Sequence, residues 1–468
     1  MLFNSLEFLA FFSLVLPLYW LLKRDIGHQN AFLLCASYTF YASWDYRFLL
    51  LIWTSTLTDF WLGERIYRTD DTRKKAWMTL SVIFNLSFLG FFKYYGFFAS
   101  SLLELGGRLG LNLELPILNI VLPVGISFYT FQSLSYTIDI YRGKLKPAPS
   151  LLGFAVFVAY FPHLVAGPIV RARDLLPQIS EPRTTTSLQI REGLWLCLWG
   201  LFKKVYVADN LAEIVNHAFS RSETLTGGEA LLALYCFAFQ IYGDFSGYTD
   251  IARGVSKLMG IELCINFLFP YTVTNPSDFW KNWHISLSSW LREYLYVSIG
   301  GNRGGLLATC RNLFVTMVLG GLWHGAAWTF VLWGVYQGGI LVIHRLILQY
   351  GPSLIIRRWR WAFVTLMFQI TCYGWLIFRA ENVGQILDFS FAMTGPYHWT
   401  ALTHLELASL LLYVTPVLTL EWFQRKRNDL FFVLQLTPWL RASIYVSVGW
   451  LLLALGNFGG EQFIYFQF

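Results

Sequence analysis

Apolar residues run along this chain in long blocks, separated by short stretches where Lys and Arg collect. Blocks at about 5–22, 30–43, 48–63, 77–97 and 118–140 approach the roughly 20 residues that an α-helix needs to cross a bilayer. In such proteins the basic residues gather in cytoplasmic loops. With the N-terminus outside, the first block delivers Lys23 and Arg24 to the cytoplasm. The next pair returns the chain to Arg65, Arg68, Arg73, Lys74 and Lys75, and a third pair ends at Arg142, Lys144 and Lys146. The orientation therefore closes three times. No basic region precedes the first apolar block, so a retained first span is expected rather than a cleaved signal.

The pattern then becomes irregular. The run 151–167 leads into "PHLVAGPIVRARDLLPQ", where Pro162, Gly167 and Pro168 break helices and Arg171 and Arg173 follow at once. Irregular backbone at membrane depth is tolerated only inside protein or against a cavity, so 151–170 reads as a re-entrant or broken segment. The block 244–304 holds Asp244, Asp250, Arg253, Lys257, Asp278, Lys281, Arg292, Glu293 and Arg303 among many aromatics. It is too charged for lipid and too aromatic for a loose loop, which suits interfacial helices lining a funnel. Spans return at about 361–378, after Arg357, Arg358 and Arg360, and at 405–421 and 442–457. The expected architecture is an all-α polytopic membrane protein with about ten or eleven segments, some re-entrant. No linker marks a second domain, so 1–468 reads as one, with its core near 120–345 and peripheral spans at 1–118 and 360–458.

Composition agrees with the pattern. The 468 residues are 56% hydrophobic, 18% aromatic and 13% charged, against about 25% charged in a soluble domain. The net charge of +7 belongs to cytoplasmic loops and does not indicate nucleic-acid binding. Cys35, Cys197, Cys236, Cys264, Cys310 and Cys372 are scattered, and buried cysteine acts as a small hydrophobe. Neither a disulfide framework nor a metal site is expected.

Of eight histidines, His28, His217, His398 and His404 fall in loops, and His344 lies beside Arg345 near a span end. His163, between Pro162 and Gly167, suits a structural role. His284 lies in "NPSDFWKNWHISLSSWLREYLYVSIGGNRGG", where Asn275 reads as an N-cap, Pro276 as the first helical residue and Asp278 as a first-turn acid. That helix would carry His284 two and a half turns in, with Trp280 and Ser288 on its face, as a packed structural residue or as a catalyst. His324 lies in "GGLWHGAAW", far from Arg311 and Arg345, with Gly320, Gly321 and Gly325 marking a break. An ionisable group at that depth is a functional candidate, and small residues let a second backbone or a thin substrate approach. In "QIYGDFSGYTD", Asp244 and Asp250 flank Ser246 and Gly247, either as an acid/base or cation pair or as a cap and turn at the membrane face. No P-loop, dinucleotide fingerprint, HExxH or GxSxG occurs.

At "FYTFQSLSYTIDIYRG" (128–143), "PHLVAGPIVRARDLLPQ" (162–178), "GLFKKVYVADNLA" (200–212), "DFSGYTDIA" (244–252), "FWKNWHISLSSWLREYLYVSIGGNR" (279–303) and "GGLWHGAAWTFVLWG" (320–334), the chain resembles the membrane-bound O-acyltransferase superfamily. Within it, the chain resembles the alginate O-acetyltransferase branch, and the terminal "FIYFQF" is similar to that branch too. The resemblance implies a ring of tilted helices around a thinned core, where a cytoplasmic funnel and an outer cavity meet. It places the family's paired histidines on His284 and His324, with the second as the catalytic one. It implies that Lys281, Arg292 and Arg303 contact coenzyme A phosphates or anchor at headgroups. It also implies that Trp280, Trp283, Asp244, Ser246, Trp323 and Trp328 line the tunnel. Gly243 departs from the pattern, since relatives more often carry Phe there, which bears on pocket shape.

The implied activity takes an acetyl group from a cytosolic thioester, acetyl-CoA, with no permanently bound cofactor. The acetyl crosses the bacterial inner membrane to exopolysaccharide hydroxyls through an extracytoplasmic SGNH-type partner. A hydroxyl attacking a thioester needs a base near neutrality, which histidine supplies, and desolvation at depth favours the neutral imidazole. His324 is then general base or transient acetyl carrier, and His284 orients donor or acceptor. One rival within the family is D-alanyl transfer to teichoic acid from a carrier protein. Another, of a different class, is a transporter or flippase binding substrate at the midplane.

Overall fold

Helices begin and end in this chain where the sequence supplies a cap or a breaker. The computed structural model describes residues 1–116, 118, 120–165, 167–350, 359–460 and 463–464, and among these it contains no strand. Ser5 caps α1 (Leu6–Leu21) by accepting the Phe8 N–H, and Asp25 caps α2 (Ile26–Asp45) by accepting that of His28. Each cap satisfies a donor that the first helical turn leaves over, contributing about 1 kcal/mol.

Contacts divide the chain into two compact units. The first holds Met1–Gln189, Val255–Cys264 and Gly325–Ala327. Its helices are α1, α2, α3 (Leu49–Arg68), α4 (Asp71–Leu89), α5 (Tyr95–Arg108), α6 (Ile126–Tyr141), α7 (Leu151–Ala159), α8 (Phe161–Leu164) and α9 (Ala172–Ser180). The span expected from 118 begins only at Ile126. Pro123 and Gly125 delay it: Gly125 takes φ 75°, and a Cβ there would lie 2.5 Å from the Leu164 carbonyl oxygen. The expected break within 151–170 is present. Tyr160 leaves the helical region at ψ 108°, between α7 and α8. His163 is fully buried there, with Nδ1 2.7 Å from Gln132 Nε2 and Nε2 3.1 Å from the Phe157 carbonyl. That is the structural role its setting suggested.

The second unit holds Ile190–Gly254, Ile265–His324 and Trp328–Phe468. It contains α10 (Ser187–Leu201), α11 (Asp209–Phe219), α12 (Gly227–Leu258), α13 (Pro276–Asn282), α14 (Ile285–Trp290), α15 (Gly305–His324), α16 (Trp328–Tyr350), α17 (Arg360–Arg379), α18 (Val383–Thr394), α19 (Ala401–Arg427) and α20 (Pro438–Leu455). Residues 244–258, expected in an interfacial block and a turn, are instead the second half of the continuous helix α12. Their glycines serve close packing, not turning. A Cβ on Gly247 would lie 2.7 Å from the Gly200 carbonyl, and one on Gly254 2.6 Å from that of Gly193, so α10 and α12 meet along small residues. A π-helical turn, Phe202–Ala208, follows α10 and brings two lysines to the acids of α12.

Among the described residues, six helical segments are long and apolar enough to cross a membrane: Asp71–Arg108, Gly305–His324, Trp328–Tyr350, Arg360–Arg379, Ala401–Arg427 and Pro438–Leu455. The remaining expected spans correspond to shorter or more polar helices such as α1, α2, α3 and α6. Arg357, Arg358 and the last four residues of "FIYFQF" lie outside the described residues.

Candidate functional site

The break expected around the glycines of "GGLWHGAAW" is where α15 ends, at His324; α16 starts at Trp328. The two helices form a tight antiparallel pair. A Cβ on Gly321 would lie 2.2 Å from the Phe330 carbonyl oxygen, and one on Gly334 2.6 Å from that of Met317. Gly320 faces elsewhere and lines a cavity. The expected approach of a second backbone occurs at Gly321, and its neighbour Gly320 borders open space.

That cavity has a volume of about 510 Å³. Its first wall is α15, through Thr309, Leu313, Thr316, Met317, Gly320 and His324, a stripe at helical spacing. Its second wall is α16, through Trp333, Leu341, His344, Arg345 and Leu348. The third comes from α13, α14 and the π-helical turn Leu291–Tyr296 after them, including Trp280, Lys281, Ser288 and Arg292. Trp333 and Arg345 are twelve residues apart on one helix, so they stand about 18 Å apart along its axis.

The two ends differ in character. His324 is 7% exposed and is boxed by three rings set edge-on to it: Trp323 at 5.1 Å, Trp333 at 5.1 Å and Phe378 at 5.3 Å between centroids. Aromatic edges and faces hold the imidazole plane in a narrow range of orientations. At the other end, Lys281 and Arg292 have side chains 68% and 64% exposed. Lys281 Nζ is 2.9 Å from Asp278 Oδ1. Partial burial works against ionisation of Asp278, but hydrogen bonds from Lys281 and Asn275 hold its carboxyl below the ordinary value. His344 Nδ1 is 3.1 Å from Ser277 Oγ, which ties α16 to α13.

His284 does not lie within a helix, contrary to expectation. The helix capped by Asn275 stops at Asn282, and His284 takes φ 43°, ψ 54° before α14 begins. The cause is a distant segment. The Ile285 N–H donates to the Asn266 carbonyl at 2.9 Å, and the Ser286 N–H donates to Asn266 Oδ1 at 3.1 Å. Asn266 thus caps α14, the chain reverses its local direction, and the predicted shared face with Trp280 and Ser288 is lost. Because Asn266 Oδ1 accepts a backbone N–H, it is the oxygen that faces His284 Nδ1 at 3.1 Å. Nδ1 therefore carries the proton, and the basic lone pair sits on Nε2. Outside the six spanning helices and fully buried, His284 has its pKa pushed well below the usual imidazole value by desolvation. It is not a wall of the cavity. Trp323 stands between the two histidines, 6.1 Å from His284 and 5.1 Å from His324.

The other expected site residues separate clearly. Trp280, Lys281 and Arg292 line the cavity with His324; Arg303, Trp283, Trp323, Trp328, Asp244 and Ser246 do not. Trp283 stacks on Phe279 and packs against Trp375 at 4.6 Å. Trp328 is 59% exposed, on the outer surface of this unit. Ser246 is buried in α12. Asp244 bonds Lys204 Nζ at 2.8 Å and accepts the Ile464 N–H at 2.7 Å, while Lys204 also bonds Asp209 at 2.8 Å. This buried group secures the π-helical turn and the C-terminal segment to α12. Gly243 meets the same turn, since a Cβ there would lie 2.9 Å from the Lys203 carbonyl. The departure at Gly243 therefore alters that packing and not the cavity wall. His344 and Arg345, read from sequence as a span end, are cavity residues; the spacing 341, 344, 345, 348 on α16 was their signal. Among the described residues no group of three or more His, Cys, Asp or Glu side chains is placed to hold a metal.

Comparison with known proteins places this geometry in context. The family model of the membrane-bound O-acyltransferase family matches residues 143–383, which includes all of α10 to α17 and every wall of the cavity. A probable alginate O-acetylase of Azotobacter vinelandii is 43% identical over 88% of this chain and 83% of its own length. One of Pseudomonas aeruginosa is 43% identical over 82% of this chain and 73% of its own. A peptidoglycan O-acetyltransferase of Helicobacter pylori is 35% identical over 80% and 75%.

Proposed function

Because this chain belongs to the membrane-bound O-acyltransferase family, a multi-pass membrane enzyme, we propose that it takes acetyl from acetyl-CoA on the cytoplasmic side of the bacterial inner membrane. The acetyl is passed outward for O-acetylation of an exopolysaccharide, an alginate-like polymer, with an extracytoplasmic SGNH-type protein completing the transfer. The N-terminus lies outside in this reading, as the three closures of the basic loops require.

One observation carries the proposal. A single cavity holds a buried histidine in an aromatic box at one end and a group of exposed and half-buried cations at the other, about 18 Å away along α16. A thioester donor has the same polarity: an uncharged acyl-thioester head, a slender pantetheine arm and an anionic phosphate tail. Lys281, Arg292 and Arg345 supply charge-assisted bonds to phosphate, with His344 beside them. The small faces of Gly320 and Thr316 leave room for the arm.

In the reaction, the acceptor oxygen attacks the thioester carbonyl carbon, the carbon–sulfur bond breaks and the thiolate departs to take up a proton. His324 removes the acceptor's proton as general base. Trp323, Trp333 and Phe378 exclude water and hold the ring in place. His284 is a positioning residue acting through Trp323, the ring it shares with His324. Purified protein in liposomes, given labelled acetyl-CoA, should release free thiol and pass label to an acceptor. His324→Ala should abolish both and leave membrane insertion intact. An active His324→Ala protein, or no thioester cleavage by the wild type, would overturn the reading; a transporter would leave the thioester whole.

A further inference from the structure

The first unit contains a deeply buried carboxylate whose partners are all neutral. Asp59, midway along α3, is 0% exposed. Ser81 Oγ donates to its Oδ1 at 2.7 Å, and Asn85 Nδ2 lies 3.1 and 2.9 Å from its two oxygens. Among the described residues no Lys, Arg or His is in ion-pair range of it. Its partners Ser81 and Asn85 lie ten and fourteen residues into α4, about 15 and 21 Å along that spanning helix. A carboxylate at such depth is strongly disfavoured as a bare anion.

The oxygens around it have an unusual spacing. Ser55 Oγ is 3.4 Å from Asp59 Oδ2, 3.4 Å from Asn85 Oδ1 and 3.4 Å from Ser133 Oγ. A hydroxyl has one proton, so Ser55 cannot donate to all three, and each distance exceeds a good O–H···O bond. Such spacing is what oxygens adopt around a hard cation. Ligands about 2.4 Å from an ion of Ca²⁺ size, at right angles to one another, stand about 3.4 Å apart. Na⁺ is close to Ca²⁺ in radius, and its single charge matches the single carboxylate. Ser81 and the Asn85 amide nitrogen hold the carboxylate through their own hydrogen bonds, and Thr137 Oγ1 lies 3.0 Å from Ser81 Oγ. Every one of these side chains is buried.

We propose that Asp59, Ser55, Asn85 and Ser133 form a Na⁺ site that clamps α3, α4 and α6 together. The four oxygens come from all three helices, so the ion links them in a way that no pairwise hydrogen bond does. K⁺ needs a wider cage and fits poorly.

The test is thermal unfolding of the purified full-length protein in detergent at pH 8, titrated with Na⁺, K⁺ or N-methylglucamine chloride at constant ionic strength. Na⁺ should raise the unfolding temperature saturably, and the other two should not. Asp59→Asn should remove the response. Ser133→Ala, which keeps the carboxylate and its other donors, should raise the half-saturating Na⁺ concentration roughly tenfold or more, and it decides the matter should Asp59→Asn fail to fold. Unfolding that is identical in Na⁺ and N-methylglucamine would mean that Asp59 is simply protonated, and the proposal fails. It fails equally if Ser133→Ala responds to Na⁺ exactly as the wild type does.

Discussion

Arg345→Ala tests the division of labour along the cavity. Arg345 lies twelve residues beyond Trp333 on α16, about 18 Å from the buried end, so it can touch a donor's phosphate tail but not its thioester. A hydrogen bond to a charged group contributes about 1.5–3 kcal/mol when shielded. Arg345 is only half-buried, and solvent and salt weaken exposed charge pairs, so about 1–2 kcal/mol is the appropriate range. At 1.4 kcal/mol per factor of ten, the KM for acetyl-CoA should rise roughly 5- to 30-fold. The kcat should change little, because a contact made equally in ground and transition state affects binding alone.

The assay is the initial rate of thiol release in liposomes, with acetyl-CoA compared against S-acetylpantetheine. The second donor lacks the phosphate tail. It should react poorly with the wild type and equally poorly with Arg345→Ala. Raised salt should narrow the gap between wild type and variant for acetyl-CoA and leave the short donor unaffected. An equal loss on both donors would refute the reasoning, as would a fall in kcat at unchanged KM, since either result would put Arg345 in a structural role or at the reacting end.

Other consequences follow from the same geometry. Gly321→Ala sets a Cβ 2.2 Å from the Phe330 carbonyl oxygen; α15 and α16 must part, at about 1–3 kcal/mol for overpacking. Lower thermal stability and a reduced kcat are expected, whereas Gly339→Ala, which meets nothing within 4 Å, should match the wild type. Lys204→Met leaves the buried Asp209 and Asp244 carboxylates uncompensated. A loss of about 3–5 kcal/mol is expected, read as a fall in unfolding temperature. Asn266→Ala keeps the backbone bond to Ile285 but removes the side-chain acceptor of the Ser286 N–H and of His284 Nδ1; the kcat should fall while Arg345-dependent donor binding persists.

What could be read from sequence, and what could not, divides along the range of the interactions involved. The position of His324 follows from local features: glycines that end a helix, a long stretch without charge, and a chain too long for one span. The start of α13 is equally local, because Asn275, Pro276 and Asp278 carry their own signals. Its end is not. Neither Trp283 nor His284 breaks a helix by propensity, and the break arises because Asn266, eighteen residues earlier, takes the N–H groups of Ile285 and Ser286. Gly247 and Gly254 show the same ambiguity in another form. Glycine suits a turn and a close helix approach equally well, and only the facing Gly193 and Gly200 decide for the second. The cavity combines three separated segments, so its membership is non-local throughout. Trp280, Lys281 and Arg292 join His324 because α13, α14 and the turn after them close against α15. Arg303, on the same stretch of sequence, is left out because it lies in a loop where Gly300, Gly301, Gly304 and Gly305 all take positive φ. Lys281 and Arg292 themselves sit on separate elements, α13 and the π-helical turn after α14, and meet only through the cavity. His344 and Arg345 show the converse: their spacing on α16 was visible, but a helix face acquires chemical meaning only when the wall opposite it is known.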